Sequence, residues 1–256
     1  MATIDAASMA AIFKAYDVRG TVPDQLDDVV LERMGAAFAR FVADTDGATS
    51  ILLAHDMRPS GPAFADAFAR GATAQGVDVV LLGLASTDLL FFAAGRFDRP
   101  GAMLTASHNP AQYNGAKLCL SGARPIGADT GLETIRDLTV SGLDPVAVPG
   151  SITSRDDALS LFVDHVHSFI DVEAMRPLRI VADAANGMGG LTAPAVFAGL
   201  PVELDMLYGE LDGTFPNHPA DPIQPENLRD LQARVLATGA DVGLAFDGDA
   251  DRVFLV

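Results

Sequence analysis

The chain has 256 residues, room for one large domain or two of ordinary size. Its 49% hydrophobic content excludes extended disorder, and its formal net charge of -17 repels nucleic acid and anionic lipid, so neither is an expected partner. One cysteine, Cys119, excludes an internal disulfide and a thiolate metal site. No run approaches the roughly 18 apolar residues of a membrane span, and the amino terminus lacks the basic-then-apolar pattern of a secretory signal. A cytoplasmic protein is expected.

Residues 1 to 11 carry little pattern and read as a short helix or a loose tail. IFKAYDVRG, Ile12 to Gly20, reads as a strand or extended loop that offers Arg19 to an anion. Leu26, Val29, Val30, Met34, Ala37, Phe38 and Phe41 fall at spacings of three and four, which predicts a helix over 26–42. A strand follows from Ser50 to Ala54, then the turn HDMRPSG and a helix over 62–75. The next elements are a strand over 77–82, a helix over 87–95, a strand over 102–104 and another over 116–120. A short helix is expected over 127–138.

Alternation of strand and helix is the pattern of a layered α/β sheet. In open sheets of this kind ligands sit at the carboxyl ends of the strands. HDMRPSG and TASHNP both follow such ends, so Arg58 and Ser107 are expected to line one crevice.

Ser141 to Arg155 has no clear period and is the expected boundary, drawn between residues 150 and 151. Beyond it a helix is predicted over 156–172, with His165 and His167 read as structural or exposed because residues two apart share no helix face. A second α/β unit then begins. It has a strand over 178–182, a glycine-rich loop GMGG with the look of an anion-holding helix start, a helix to Ala198, and a strand over 202–207. A proline-punctuated loop containing Asn217 and His218 leads to a helix over 226–238 and strands over 242–246 and 253–256. The chain stops inside an apolar run, which reads as a truncated or divided polypeptide.

Two loops carry candidate chemistry. FDGDADR places Asp247, Asp249 and Asp251 two residues apart, with only Gly248 and Ala250 between them. Carboxylates this close repel one another strongly unless a cation lies among them. Hard divalent cations take oxygen ligands, and Mg²⁺ is the expected ion because it commonly pairs with substrate phosphates. A calcium helix-loop-helix is excluded, since strands flank the loop and its terminal glutamate is missing. The other loop, TASHNP, presents Ser107 beside His108. A serine is a weak nucleophile alone, but a phosphate carried on Ser107 would add an oxygen ligand to a cation on the aspartates. Lys117, Arg252 and His108 are the candidate acid–base groups. A phosphatase with an aspartate nucleophile would leave TASHNP without a role, and a non-catalytic binding module would keep both units without transfer.

FKAYDVRG, TASHNP and DGDADR, in this order, resemble the alpha-D-phosphohexomutase family in its bacterial phosphomannomutase and phosphoglucomutase branch, and HPADPIQPENL at 218–228 is similar to a second-domain loop of the same branch. The resemblance covers the whole chain but only the amino-terminal half of a four-domain family member. It implies two consecutive layered α/β domains with mixed sheets, over 1–150 and 151–256, with the third and fourth domains absent.

It also implies a phosphorylated Ser107, and Mg²⁺ on Ser107, Asp247, Asp249 and Asp251. His108, Lys117 and Arg252 would work at the transferred group, and Tyr16, Arg19, Arg58 and Asn109 would contact substrate or its phosphate. The implied reaction interconverts the 1- and 6-phosphates of mannose or glucose through a hexose bisphosphate. Partners would be the phosphorylated hexose, its bisphosphate and, if the polypeptide is divided, a carboxyl-terminal half on a separate chain. Ala116 departs from the aromatic usual at its place, and altered packing is expected there.

Overall fold

The computed structural model describes residues 4–256. Asp5 caps α1 (Ala6–Ile12) by accepting the Ser8 N–H at 2.9 Å, and buried Met9 and Ile12 dock the helix. The extended piece of IFKAYDVRG is β1 (Val18–Thr21). Asp27 caps α2 (Asp28–Asp46), accepting from Val30 N–H at 2.8 Å, and Gly47 ends it at a φ of 63°. Strand β2 (Ser50–His55) leads to α3 (Gly61–Ala74). Gly35 and Gly71 stand where α2 and α3 cross. A Cβ on Gly71 would lie 1.7 Å from the Glu32 carbonyl oxygen, so only glycine lets the backbones approach this closely.

Then come β3 (Asp78–Leu84), α4 (Thr87–Phe97), β4 (Gly101–Leu104), β5 (Tyr113–Leu120), the short β6 (Arg124–Pro125), α5 (Leu132–Ser141) and β7 (Ile152–Ser154). They form a seven-stranded mixed sheet in the order β1-β5-β4-β2-β3-β7, with β6 beside β5. Strands β4, β2, β3 and β7 run parallel, while β1 and β5 run antiparallel to their neighbours. Leu31, Met34, Phe38, Phe64 and Phe68 pack with Ile51, Leu53 and Leu104 in one core, and Leu89, Leu90 and Ala93 of α4 fill the other with Leu52 and Met103. Ala116 is 1% exposed and belongs to the larger core, facing Val18 and Leu104 across its strand partners, so its small side chain is a packing choice.

The second unit comprises α6 (Ala158–His167), β8 (Leu178–Asp183), α7 (Gly189–Phe197), β9 (Val202–Leu207), α8 (Arg229–Thr238), β10 (Val242–Phe246) and β11 (Val253–Leu255). Its four-stranded sheet runs β11-β10-β8-β9, parallel except for the β10–β11 hairpin, so it too is mixed.

Several expectations shift. Strand β7 lies past the boundary drawn at 150/151, yet pairs with β3, so the first sheet continues to Ser154. Its exposed residues, ITS, give no hydrophobic signal. The helix predicted over 127–138 splits at Gly131, whose φ of 131° breaks it into a 3-10 turn and α5. Helix α6 stops at His167, where Ser168 bonds back to the His165 carbonyl at 2.6 Å, and Phe169 stands 74% exposed although its spacing extends the apolar stripe. Among the described residues no helix is long and apolar enough to cross a membrane.

Candidate active site

Five carboxyl-end segments meet between the two sheets: those after β2, β3, β4, β8 and β10. The segment after β4 carries Ser107, 1% exposed and at a φ of 52°, a left-handed conformation that a serine adopts only when held. What holds it is Arg58. Its Nη1 donates to the Pro110 and Tyr113 carbonyls, each at 2.8 Å. Its Nη2 donates to the Ser107 carbonyl at 2.9 Å and the Asn109 carbonyl at 2.7 Å. Its Nε donates to Asp56 Oδ2 at 3.2 Å. All five guanidinium N–H groups are thus occupied within the protein.

Arg58 is therefore near Ser107, as expected, but it is 1% exposed and its N–H groups are spent on the protein, so its place is that of a clamp rather than of a group open to a phosphate. Thr105 completes the arrangement. Its hydroxyl donates to Asp56 Oδ2 at 2.7 Å and accepts the Ser107 N–H at 2.9 Å. Full burial raises the Asp56 carboxyl, and the Arg58 charge and the Thr105 hydroxyl pull the other way.

The segment after β10 brings Asp247, Asp249 and Asp251 to within 4.8 Å of one another, counted by one oxygen from each. Ser107 Oγ donates to Asp247 Oδ2 at 2.8 Å, which joins residues 140 positions apart. Arg252 lies across the junction. Its Nη2 reaches Asp247 Oδ2 at 2.5 Å, Ser107 Oγ at 2.6 Å and His108 Nδ1 at 2.5 Å. Lys117 Nζ donates to Asp249 Oδ2 at 2.6 Å and to Asp251 Oδ2 at 2.5 Å. Of this chain's candidate catalytic and metal residues, Ser107, His108, Lys117, Arg252 and the three aspartates all meet here.

The electrostatics have the form of a cation site. Burial, then the charges of Asp249 and Asp251, push Asp247 up to about 7. Asp249 is also buried, but the Lys117 ammonium and its hydrogen bonds outweigh that and hold its carboxyl below the ordinary value. Burial disfavours the Lys117 charge, yet Asp249 and Asp251 prevail and raise its pKa. Burial and then the Arg252 charge lower His108. Asp249 Oδ1 is buried and has no hydrogen-bond partner among the described residues. An orphaned carboxylate oxygen inside a cluster of three carboxylates is the donor set a hard divalent cation takes, so the residues fit such an ion.

The peripheral candidates divide. Arg19 bonds Asp17 through Nε at 2.8 Å and Asn109 Oδ1 through Nη1 at 2.6 Å, which ties the first loop to the Ser107 loop. Lys14, Arg19 and Asn109 line a cavity of about 530 Å³ there. Tyr16 is 82% exposed, beside Gly127 and Asp129, and no described hydrogen bond joins it to the cluster. The GMGG loop does not present a free anion cradle. Met188 N–H donates to the Gly248 carbonyl at 2.9 Å, and a Cβ on Gly187 would lie 2.6 Å from that same oxygen, so the loop braces the acidic segment from behind. His165 stacks on Phe92, centroids 4.8 Å apart, and His167 Nε2 lies 2.7 Å from the Val196 carbonyl oxygen, both structural.

Sequence reasoning missed Asp56, Thr105, Thr87 and the pair His218–Asp183. Asp56 and Thr105 stood inside loops already singled out, and a buried arginine between them needs a buried acid. Thr87 and Asp183 carried no sequence signal beyond their place at a strand or helix end.

Two family models match the chain: phosphoglucomutase/phosphomannomutase alpha/beta/alpha domain I over residues 10–142 and domain II over residues 160–256. The chain is 40% identical over 248 residues to the phosphohexose mutase of Xanthomonas campestris pv. campestris, covering 94% of this chain and 53% of that protein. It is 40% identical over 250 residues to a phosphoglucomutase of Neisseria gonorrhoeae, covering 96% and 52%. The crystal structure of a phosphoglucomutase/phosphomannomutase family protein from Burkholderia thailandensis superposes with a TM-score of 0.88 at 37% identity, covering 96% of this chain and 54% of that one. The chain thus spans about half the length of the curated relatives it matches. With two mixed α/β units and an acidic cluster set against a serine loop, it belongs to the phosphoglucomutase/phosphomannomutase family, in its bacterial phosphohexomutase branch, over domains I and II.

Proposed function

We propose that this chain carries the phosphoryl-transfer site of a phosphohexomutase, with Ser107 as the phosphate carrier and hexose 1- and 6-phosphates, of mannose, glucose or both, as substrates. The observation that supports this best is Ser107 Oγ held 2.8 Å from Asp247 Oδ2, beside a carboxylate cluster with an orphaned oxygen. Asp247, Asp249 and Asp251, with an oxygen of the Ser107 phosphate, would hold Mg²⁺. When bound, that ion would neutralise the carboxylates and the charge on the phosphoryl oxygens.

The chain's own groups supply the remainder. A sugar hydroxyl attacks the phosphorus on Ser107, a new P–O bond forms, and the bond to Ser107 Oγ breaks. The proton lost by the sugar ends on Ser107 Oγ, so the step balances with no further reactant. Arg252 Nη2, 2.6 Å from that oxygen, steadies the charge it gathers. Lys117, kept protonated by two carboxylates, adds positive charge beside the transferred group. His108 accepts from Arg252 at Nδ1, which leaves its proton on Nε2 for a phosphoryl oxygen. The hexose bisphosphate so formed returns its other phosphate to Ser107. Arg19 and Asn109 border the approach, and a cytoplasmic setting goes with the substrates.

Purified chain treated with a hexose 1,6-bisphosphate should gain one phosphate on Ser107 by mass spectrometry, and S107A should gain none. Label that persists in S107A refutes the carrier role. The chain's span of about half its relatives' length favours a second reading, that it binds the ion and phosphosugar but turns over efficiently only with the other half, covalently or as a separate chain. A mutase assay on the 256-residue chain separates the two, since a rate equal to that of a full-length relative removes the second reading.

A further inference from the structure

Thr87 opens α4 in the first unit, 5% exposed, and touches the acidic loop of the second. Its Oγ1 donates to Asp249 Oδ2 at 2.5 Å, and its backbone N–H donates to the Asp249 carbonyl at 3.0 Å. The N–H at the first helical position has no partner within the helix, so it is free for this bond. Ser86, the residue before, caps α4 through the Leu89 N–H at 3.2 Å and so fixes where Thr87 stands. Lys117 takes the same carboxylate oxygen at 2.6 Å. Two donors from the first unit therefore occupy Oδ2, and the other oxygen, Oδ1, is left buried and without a partner among the described residues, on a carboxylate clustered with those of Asp247 and Asp251.

We propose that Thr87 is a positioning residue for the cation site: its hydroxyl holds Asp249 Oδ2 so that Oδ1 faces the ion. This rests on the reading of Asp247, Asp249 and Asp251 as ligands of a divalent cation. It explains why a hydroxyl sits at the start of a helix already capped by the neighbouring serine. It also makes the cation site a product of both units, with ligands from one and their orientation from the other. Groups behind metal ligands set carboxylate orientation, and their loss commonly costs about 10- to 100-fold in affinity.

The test is Mn²⁺ affinity of the full chain by electron paramagnetic resonance, in wild type, T87V, T87A and T87S. T87V keeps the shape and the backbone bond and removes only the hydroxyl. The expected result is a loss of about 10- to 100-fold in T87V and T87A, with T87S near wild type. Circular dichroism and the metal-free melting temperature check folding, and T87A carries the test if T87V does not fold. Wild-type affinity in the folded hydroxyl-free variant overturns the proposal, as does a T87S loss equal to that of T87V. No Mn²⁺ binding by wild type defeats the cation reading itself, a different and distinguishable failure.

Discussion

The first unit fills both faces of its sheet. Phe38, Phe68, Leu31, Met34 and Ile51 pack on one side and Leu52, Leu89 and Leu90 on the other, all essentially without exposure. Among its described residues the second unit clusters only Val181, Leu231 and Ala245 into a hydrophobic core, with Leu207, Leu228 and Val235 partly covered around them. Other buried apolar residues, such as Ile180, Ala182, Met188 and Ala193, lie outside that cluster. Its first helix, α6, packs Ala158, Leu159 and Phe162 onto the core beneath α4, so it leans on the first unit. The two functional loops follow this division. The serine loop is fixed inside its own unit by Arg58 and Thr105. The acidic loop is braced from behind by Met188 of its own unit and held across the junction by Thr87, Lys117 and Ser107 of its neighbour. A thick unit that orders itself thus holds a thin one in register, and the order of the acidic cluster depends on the contact between them.

The largest effect expected from breaking this contrast comes at Arg58. R58M keeps the bulk of the side chain but strands the fully buried Asp56 and releases four carbonyls. Removing one member of a buried ion pair costs about 3–5 kcal/mol. Urea unfolding should show a loss of that size, and Ser107 should take up less phosphate from a hexose bisphosphate even where the variant is folded. Pairing R58M with D56N should return part of the stability, since no unpaired charge remains. A loss under about 1 kcal/mol would mean that the serine loop does not depend on its clamp.

Most of the architecture was legible because hydrophobic period writes it plainly. Val202–Leu207 and Val242–Phe246 are strands with the expected bounds, and the alternation of strand and helix implied layered α/β units, while the mixed strand directions were expected from the family resemblance alone. The acidic triplet and Ser107 were legible because carboxylates at alternate positions have few other uses. What could not be read was the work done behind them. Arg58 looked like a phosphate ligand because an arginine in a turn near a serine has the same spelling whether it faces inward or outward. Only the carbonyls of Pro110, Tyr113, Ser107 and Asn109, brought round by the fold, decide it. Strand β7 was missed for a related reason: its residues are exposed, and it exists through hydrogen bonds to β3.

A smaller effect is expected where the two loops touch. A Cβ on Gly248 would sit 2.4 Å from the Ser107 carbonyl oxygen. The oxygen cannot retreat, because Arg58 Nη2 holds it at 2.9 Å. The acidic loop must therefore give way in G248A, at a cost of about 1–3 kcal/mol. Hydrogen exchange should locate the damage. Amides of 247–252 should lose protection while those of β2 and β4 keep theirs. Equal loss in both units would show that the first does not order itself independently.

The smallest effect concerns how the thin unit supports its own loop. His218 Nε2 lies 3.0 Å from Asp183 Oδ2 and its Nδ1 lies 2.9 Å from the Pro219 carbonyl oxygen, so both ring nitrogens face acceptors and both must donate. The imidazolium form satisfies this arrangement. Burial opposes the charge, but the Asp183 bond, the Pro219 carbonyl and the charges of Asp183 and Asp230 outweigh it and raise the pKa. The Tyr208 ring, 5.3 Å away, completes the surroundings. A pKa raised on folding contributes stability that is full below about 6.5 and is lost as pH rises through the folded value. Urea unfolding between about pH 5 and 9 should therefore show wild type losing stability on the alkaline side of that range. H218Q should be less stable by about 1 kcal/mol at the acid end and should converge on wild type at the alkaline end. A wild-type slope retained in H218Q would move the pH dependence to another group and leave Asp183 held by its bond from Ala185 N–H, at 2.9 Å, alone.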